Sequence, residues 1–323
     1  MQKGENIVSI ALAAVVLLTV IALQRKWNPA DLKDAANIAE DYLLTSAGIG
    51  GQAPDIGGFE RLNTFQLGDY RAGLYRATPA PLIFAQGLLV IYDHSDHPVY
   101  KFETLEGSKE AWSSLYDFSG RHGSPVQGSR ARSSFARDIS GNGVPDIVVG
   151  QYSGGDHCCS TVTILELGKD AVTPIGRLGG IDGLPFDGLE IRRLTKGTAY
   201  QCIAHRPATT ACGSHYDAAD VLSVYAFTNG SFQDQTASYG EFFQDVLRQD
   251  LAKWRQDKNR NMQLLQSVAV DFAVVGQKDA GKRFFALNLS PLMPGLQSRN
   301  LDPNVCIDAL ETLVDRVREA NPL

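Results

Sequence analysis

No GxSxG nucleophile elbow, phosphate-binding P-loop, HExxH zinc helix or dinucleotide fingerprint occurs in the 323 residues. The sequence signatures of serine hydrolases, NTPases, zinc proteases and NAD enzymes are therefore missing. Cysteine is scarce. Five residues cannot define a small disulfide scaffold, and an odd count leaves at least one thiol unpaired within the chain. Basic charge is not in excess either: 30 Lys and Arg stand against 36 Asp and Glu, for a net charge of −6 with histidines neutral. Without a basic stripe, nucleic acid is excluded as an expected partner. The 44% hydrophobic content is ordinary for a globular protein and speaks against wholesale disorder, collagen-like repeats or a polytopic membrane protein. A chain of this length is expected to hold about two domains.

One stretch departs from these averages. Ile7 to Leu23 carries no charge, and its only polar residues are Ser9 and Thr19. As a helix it would be about 26 Å long, slightly short of the roughly 30 Å hydrocarbon core. Arg25, Lys26 and Trp27 follow, two snorkelling cations and an interfacial aromatic. The segment reads as an uncleaved anchor contacting the lipid bilayer. The alternative is a secretory signal, with Lys3 as its basic start and Val20-Ile21-Ala22 as its cleavage site. Charges flanking the segment weakly favour a cytoplasmic C-terminus, whereas cysteine clustering and a low-charge calcium loop fit an oxidising, calcium-rich compartment better. The expected placement is a single-pass inner-membrane protein with its bulk in a bacterial periplasm, or a secreted protein if the segment is cleaved.

After the anchor, Asn28-Pro29 and Asp31 start a helix whose stripe is Leu32, Ala35, Ala36, Ala39 and Leu43. Ala47 to Gly58, with five glycines, reads as a linker. The pattern then shifts to short runs of period two. Gly87 to Tyr92 and Val99 to Phe102 read as a hairpin. Gly120 to Ser134 has three arginines and no acid; it reads as a surface loop, with an anion site as the alternative. Further strands are expected at 147–152, 160–167, 189–194, 200–204 and 221–228, the last ending on the hairpin signal Asn229-Gly230. Helical spacing appears at Tyr239 to Trp254, Asn261 to Val275 and Asp302 to Ala320, where Asp302-Pro303 forms an N-cap with proline at the first turn. The expected class is α+β: an N-terminal transmembrane helix, a β-rich propeller-like or sandwich middle, and a helical C-terminal part. Its segments are 1–27 as anchor, 28–58 as helix and linker, 59–238 as the β-rich domain, and 239–323 as the helical region.

The densest chemistry lies in Phe135 to Leu167, FARDISGNGVPDIVVGQYSGGDHCCSTVTILEL. Asp138, Ser140 and Asn142 alternate, followed by Gly143, Val144 and Asp146. Oxygen donors at positions one, three, five and nine, with a backbone carbonyl at Val144, can wrap a hard cation such as calcium. Gly143 permits the sharp turn. Only Asp138 and Asp146 are charged, so binding would be weak, and an Asx-rich turn without metal is the competing reading.

At these residues the chain resembles the FG-GAP/VCBS-type repeat, whose D-x-[DN]-G-[DN]-G-x-x-D hairpin precedes a hydrophobic strand in integrin-type β-propeller blades. Ser153-Gly154-Gly155-Asp156-His157-Cys158-Cys159 is similar to an SGGxHCC run of bacterial secreted proteins with such repeats. The resemblance covers about 35 residues, a tenth of the chain. It implies an extracytoplasmic, usually non-catalytic module for calcium-stabilised structure or protein contact.

Cys158 and Cys159 are adjacent, and Cys202 and Cys212 lie in QCIAHRPATTACGSHYD, with His205 and His215 each three residues after a cysteine. Disulfides are the first reading, with Cys202–Cys212 as the simplest pair and Cys158 and Cys159 as further candidates. A zinc site from His157, Cys158 or Cys159, Cys202, His205, Cys212 and His215 is less favoured, since the spacing departs from a C-x-x-C knuckle. A Cys–His nucleophile is the third reading. Cys306 reads as a buried apolar residue. His94 and His97 read as a solvated turn, with a metal pair as the alternative. The charged residues between Arg248 and Arg260 read as a solvated helix face. The expected role is a membrane-anchored, non-catalytic binding or structural protein, an accessory subunit that meets a protein partner. The alternative is a secreted hydrolase or redox enzyme, or a zinc-binding module, using the Cys/His cluster.

Overall fold

The computed structural model describes residues 52–77, 87–102, 112–116, 118, 135–152, 160–181, 186–208, 210, 212, 217–256, 261–292, 302–317 and 319. The chain divides into two compact units. The first runs to Gly179 and takes in 184–187 and 197–199; the second holds 180–183, 188–196 and everything from Tyr200 onward.

The first unit contains two sheets. β1 (Phe59–Leu67), β2 (Tyr70–Ala77), β3 (Gly87–Tyr92) and β4 (Pro98–Phe102) form an antiparallel meander in chain order. β5 (Trp112–Leu115), β6 (Ala136–Arg137), β7 (Asp146–Tyr152), β8 (Ser160–Leu167) and β9 (Val172–Ile181) form the second, in the order β5-β7-β8-β9 with β6 also paired to β7. β3 reads GLLVIY, a continuous apolar run, because it is buried on both faces. Leu89 and Ile91 join Phe65, Leu67 and Phe102 against Ile147, Val149 and Leu165 of the second sheet, so the two sheets share one core. Leu88, Val90 and Tyr92 point the other way and pack with Ala53 and Tyr75. The alternation follows from the period of two along a strand. Phe65 and Phe135 meet edge to face, their ring centroids 4.8 Å apart.

The second unit combines a sheet with helices. β10 (Leu189–Arg192), β11 (Gln201–Ala208), β12 (Ala219–Thr228) and β13 (Ser231–Asp234) form an antiparallel meander. Asn229 and Gly230 close the β12–β13 hairpin with φ of 52° and 83°, as a two-residue turn matched to strand twist requires. α1 (Gly240–Gln256), α2 (Met262–Val274), α3 (Lys278–Leu289) and α4 (Pro303–Arg316) follow. Asn261 caps α2 by accepting the Leu264 amide at 2.8 Å, and Asp302 caps α4 through the Asn304 amide at 2.9 Å, with Pro303 next to it. α2 is apolar on nearly every side and accordingly buried, the central helix of the unit. Its Val270 and Val274, with Phe243 of α1, cover Ile203, Ala219 and Val224 of the sheet. Its Leu265, Val268 and Ala269 pack with Phe285 of α3 and with Cys306, Leu310 and Val314 of α4. The helices placed by sequence in a separate region from 239 thus share one compact unit with β10–β13.

The expected transmembrane helix, with its bilayer contact and single-pass inner-membrane placement, is corrected. Among the described residues no helix is long and apolar enough to cross a membrane. α1, the longest at 17 residues, carries charges throughout, including Glu241, Arg248 and Lys253. α2, the most apolar, has 13 residues and spans only about 20 Å against a hydrocarbon core of about 30 Å. Ile7 to Leu23, the helix after Asn28, residues 47–51 of the linker and the loop 120–134 lie outside the described residues.

Candidate functional site

The loop between β6 and β7 holds four of the five calcium candidates, and the fifth, Asp146, opens β7. Gly141 and Gly143 take φ of 77° and 90°, so the chain folds back on itself. A Cβ at Gly141 would lie 2.9 Å from the Ala199 amide nitrogen and from Thr198 Oγ1, so glycine is required there on steric grounds as well. Asp138 takes the amides of Gly141 at 2.7 Å and Gly143 at 2.9 Å on its two oxygens. Asn142 accepts the Val144 amide at 2.9 Å and donates from Nδ2 to Glu166 on β8. Asp146, fully buried at the start of β7, accepts the amides of Ile139 and Ser140 on Oδ2, each at 2.9 Å. Five backbone amides are thus gathered by three side chains, the network of an Asx-rich turn.

One atom stands outside this network. Asp146 Oδ1 is buried and has no hydrogen-bond partner among the described residues. Burial pushes the Asp146 carboxyl up to about 7; the hydrogen bonds from Ser140 and Ile139 oppose that shift, and the neighbouring Asp138 adds to it. A hard cation at this oxygen would answer both the desolvation and the Asp138 repulsion. Asp138 and Asp146 would supply the charge, with Ser140 Oγ, Asn142 Oδ1 and the Val144 carbonyl as neutral donors. Among the described residues no group of three or more His, Cys, Asp or Glu side chains could hold a metal ion, so such a site would rely on those neutral oxygens.

The cysteines are placed differently from expectation. Cys202, Cys212 and Cys306 are buried thiols, and no disulfide joins Cys202 to Cys212. Cys212 instead sits in the helical core, where its Sγ donates to the Cys306 carbonyl at 3.0 Å. Burial raises the Cys212 thiol far above its ordinary range, which makes it a poor nucleophile or metal ligand. His157, Cys158, Cys159 and His215 lie outside the described residues. His94 and His97 are exposed beside a turn in which Asp93 accepts the amides of Ser95 and His97. On α1, Arg248 pairs with Asp245 and Lys253 with Asp250.

The second unit gathers charges that the sequence did not single out together. His205 on β11 lies between neighbouring strands, with Nδ1 2.7 Å from Asp220 of β12 and Nε2 3.6 Å from Glu190 of β10. Hydrogen bonds to Asp220 and then Glu190 raise its pKa to about 9 despite burial, so the imidazole is a cation at neutral pH. Asp271 on α2 is buried, and burial followed by the facing Asp250 raises its carboxyl, with Asp220 adding. A cavity of about 280 Å³ opens where β11, β12 and the residues after β13 meet the last turns of α2 and α4. Its wall includes Arg206 and Arg316. Neither the carboxylate–histidine group nor the cavity has a local sequence signal, because each draws residues from elements far apart in the chain. The sequence matches no family model and no curated protein.

Proposed function

We propose that this chain is a non-catalytic binding protein whose β6–β7 hairpin is stabilised by a weakly held calcium ion. The observation that carries the metal is Asp146 Oδ1, a buried carboxylate oxygen without a partner among the described residues and beside a second carboxylate. The FG-GAP/VCBS-type resemblance of Phe135 to Leu167 supports the same reading, since that loop is where such repeats place their cation. The described Cys and His side chains weigh on the side of binding. His205 is held as a cation between two carboxylates, and Cys212 is buried and donates to a carbonyl, so neither is poised as a base or a nucleophile.

Calcium added to chelator-treated protein should raise its melting temperature by several degrees, and EGTA should reverse the shift. An Asp138→Ala/Asp146→Ala double variant should lose the response. A melting temperature indifferent to calcium in the parent chain would leave the loop as a metal-free Asx turn.

A further inference from the structure

We infer that the cavity of the second unit binds a small organic acid, with an apolar body between the sheet and the helix ends and a carboxylate at the two arginines. The inference is independent of the calcium site, which lies in the other unit. Val221, Leu222, Val274 and Leu313 give the walls an apolar character, so the interior favours a hydrocarbon part over a hydrated ion. At about 280 Å³ the cavity lies at the small end of ligand sites, which suits a short-chain or medium-chain acid rather than a drug-sized ligand.

The charged groups decide the head group. Arg206 donates from Nη2 to the Tyr225 hydroxyl, and its guanidinium carbon stands 5.5 Å from the Tyr225 ring centroid, so its position is fixed. Against apolar walls a carboxylate is the group that a guanidinium matches best. Arg316, in the last turn of α4, is exposed and has no ion-pair partner among the described residues. One acid also borders the cavity: Asp234, whose Oδ1 accepts the Thr236 amide at 3.0 Å. The formal balance of the lining remains +1, from two arginines and one aspartate. The helix ends do not reverse it. At the end of α2 the carbonyls of Asp271, Phe272 and Ala273 are taken by the amides of Val275, Gln277 and Gly276, and at α4 the Val317 amide takes those of Leu313 and Val314.

Octanoate, octylamine and a tripeptide ending in leucine, each titrated calorimetrically into the full chain, test this reading. Octanoate should bind at micromolar to low millimolar concentration, and octylamine should not. Arg316→Ala, an exposed change that leaves the core untouched, should weaken octanoate about tenfold, and Arg206→Met should weaken it more. Leu222→Glu, which places a like charge in the wall, should abolish binding, with circular dichroism showing the fold intact. Equal binding of octylamine, octanoate affinity unchanged in both arginine variants, or no octanoate binding up to 10 mM would each overturn the inference. Binding of the tripeptide without octanoate would overturn it as well, by making the cavity a site for a peptide end.

Discussion

The Asp146 carboxylate takes the Ser140 amide at 2.9 Å, fastening the middle of the loop to the first residue of β7. The same oxygen takes the Ile139 amide, while its partner oxygen has no donor among the described residues. In calcium-free protein this makes Asp146 a source of pH dependence. Its ordinary value is 3.8 and burial raises it to about 7, so the folded chain keeps a proton that the unfolded chain releases. That contribution is fully present below pH 4, declines as pH rises between 4 and 7, and is gone above 7. Asp146→Asn keeps an acceptor for both amides and cannot ionise. In EGTA it should therefore flatten the decline, leaving the variant about 1–3 kcal/mol more stable than the parent at pH 8. Asp146→Ala abandons two buried amides and should cost about 2–4 kcal/mol at either pH. Urea unfolding at pH 5 and pH 8 separates the two outcomes.

His205 and Asp220 meet across β11 and β12 at 2.7 Å, and the consequence is a histidine charged well into the alkaline range. Its pKa is raised above the ordinary 6.5 to about 9, so the stabilisation is fully present below about pH 6.5 and is lost as pH rises through 9. NMR titration of the imidazole should show its midpoint near 9 in the parent chain. Asp220→Asn should lower that midpoint by at least one pH unit. Glu190→Gln should lower it less, because its carboxylate lies 3.6 Å away. An imidazole titrating near 6.5 in the parent chain would contradict this geometry.

How much of this was legible depended on how local each signal was. The hairpin at 87–102, the β12–β13 turn, α1, α2 and the start of α4 follow from period, turn dipeptides and caps carried by adjacent residues. α3 escaped because KDAGKRFFALNL buries only Gly281, Phe285 and Leu289, one residue per turn, and a glycine lies among them. β9 escaped because VTPIGRLGGI holds a proline and three glycines, which read as a loop until β8 supplies the pairing. The loop 138–146 was visible as a spacing of oxygen side chains, yet the sequence could not say that amides of the loop would occupy most of those oxygens. A pairing of Cys202 with Cys212 looked simple in sequence; the fold places Cys202 in a strand and Cys212 among the helices, against Cys306. His205–Asp220 and the Arg206 cavity are products of strand register and helix packing, which no short window encodes.

The three described thiols give a direct chemical test. Cys202, Cys212 and Cys306 are each 0% exposed, so a maleimide added to the native protein without reductant should leave all three unmodified. After unfolding in guanidinium, still without reductant, all three should be labelled, as peptide mass mapping would show. Protection of Cys202 and Cys212 that persists in denaturant would mean that a bridge forms between them after all.

Gly281 tests how closely α2 and α3 pack. In an isolated helix, exchanging glycine for alanine gains about 1 kcal/mol, because the backbone loses less freedom on folding. Here a Cβ would stand 2.4 Å from the Ala269 carbonyl oxygen and 3.0 Å from Phe272 Cβ, both on α2. The first contact is with backbone, which cannot swing aside as a side chain would. α3 would have to move off α2, opening the packing of Phe285 and Leu289 against Leu265 and Val268. The overpacking should outweigh the propensity gain, so Gly281→Ala is expected to destabilise the second unit by about 2–4 kcal/mol. Lys282→Ala, one residue along the same helix and paired with Asp315, should change stability far less. Urea melts followed by circular dichroism at 222 nm, where helices dominate the signal, would compare the two variants. A stabilised Gly281→Ala variant would show that α2 and α3 are not in contact at this glycine.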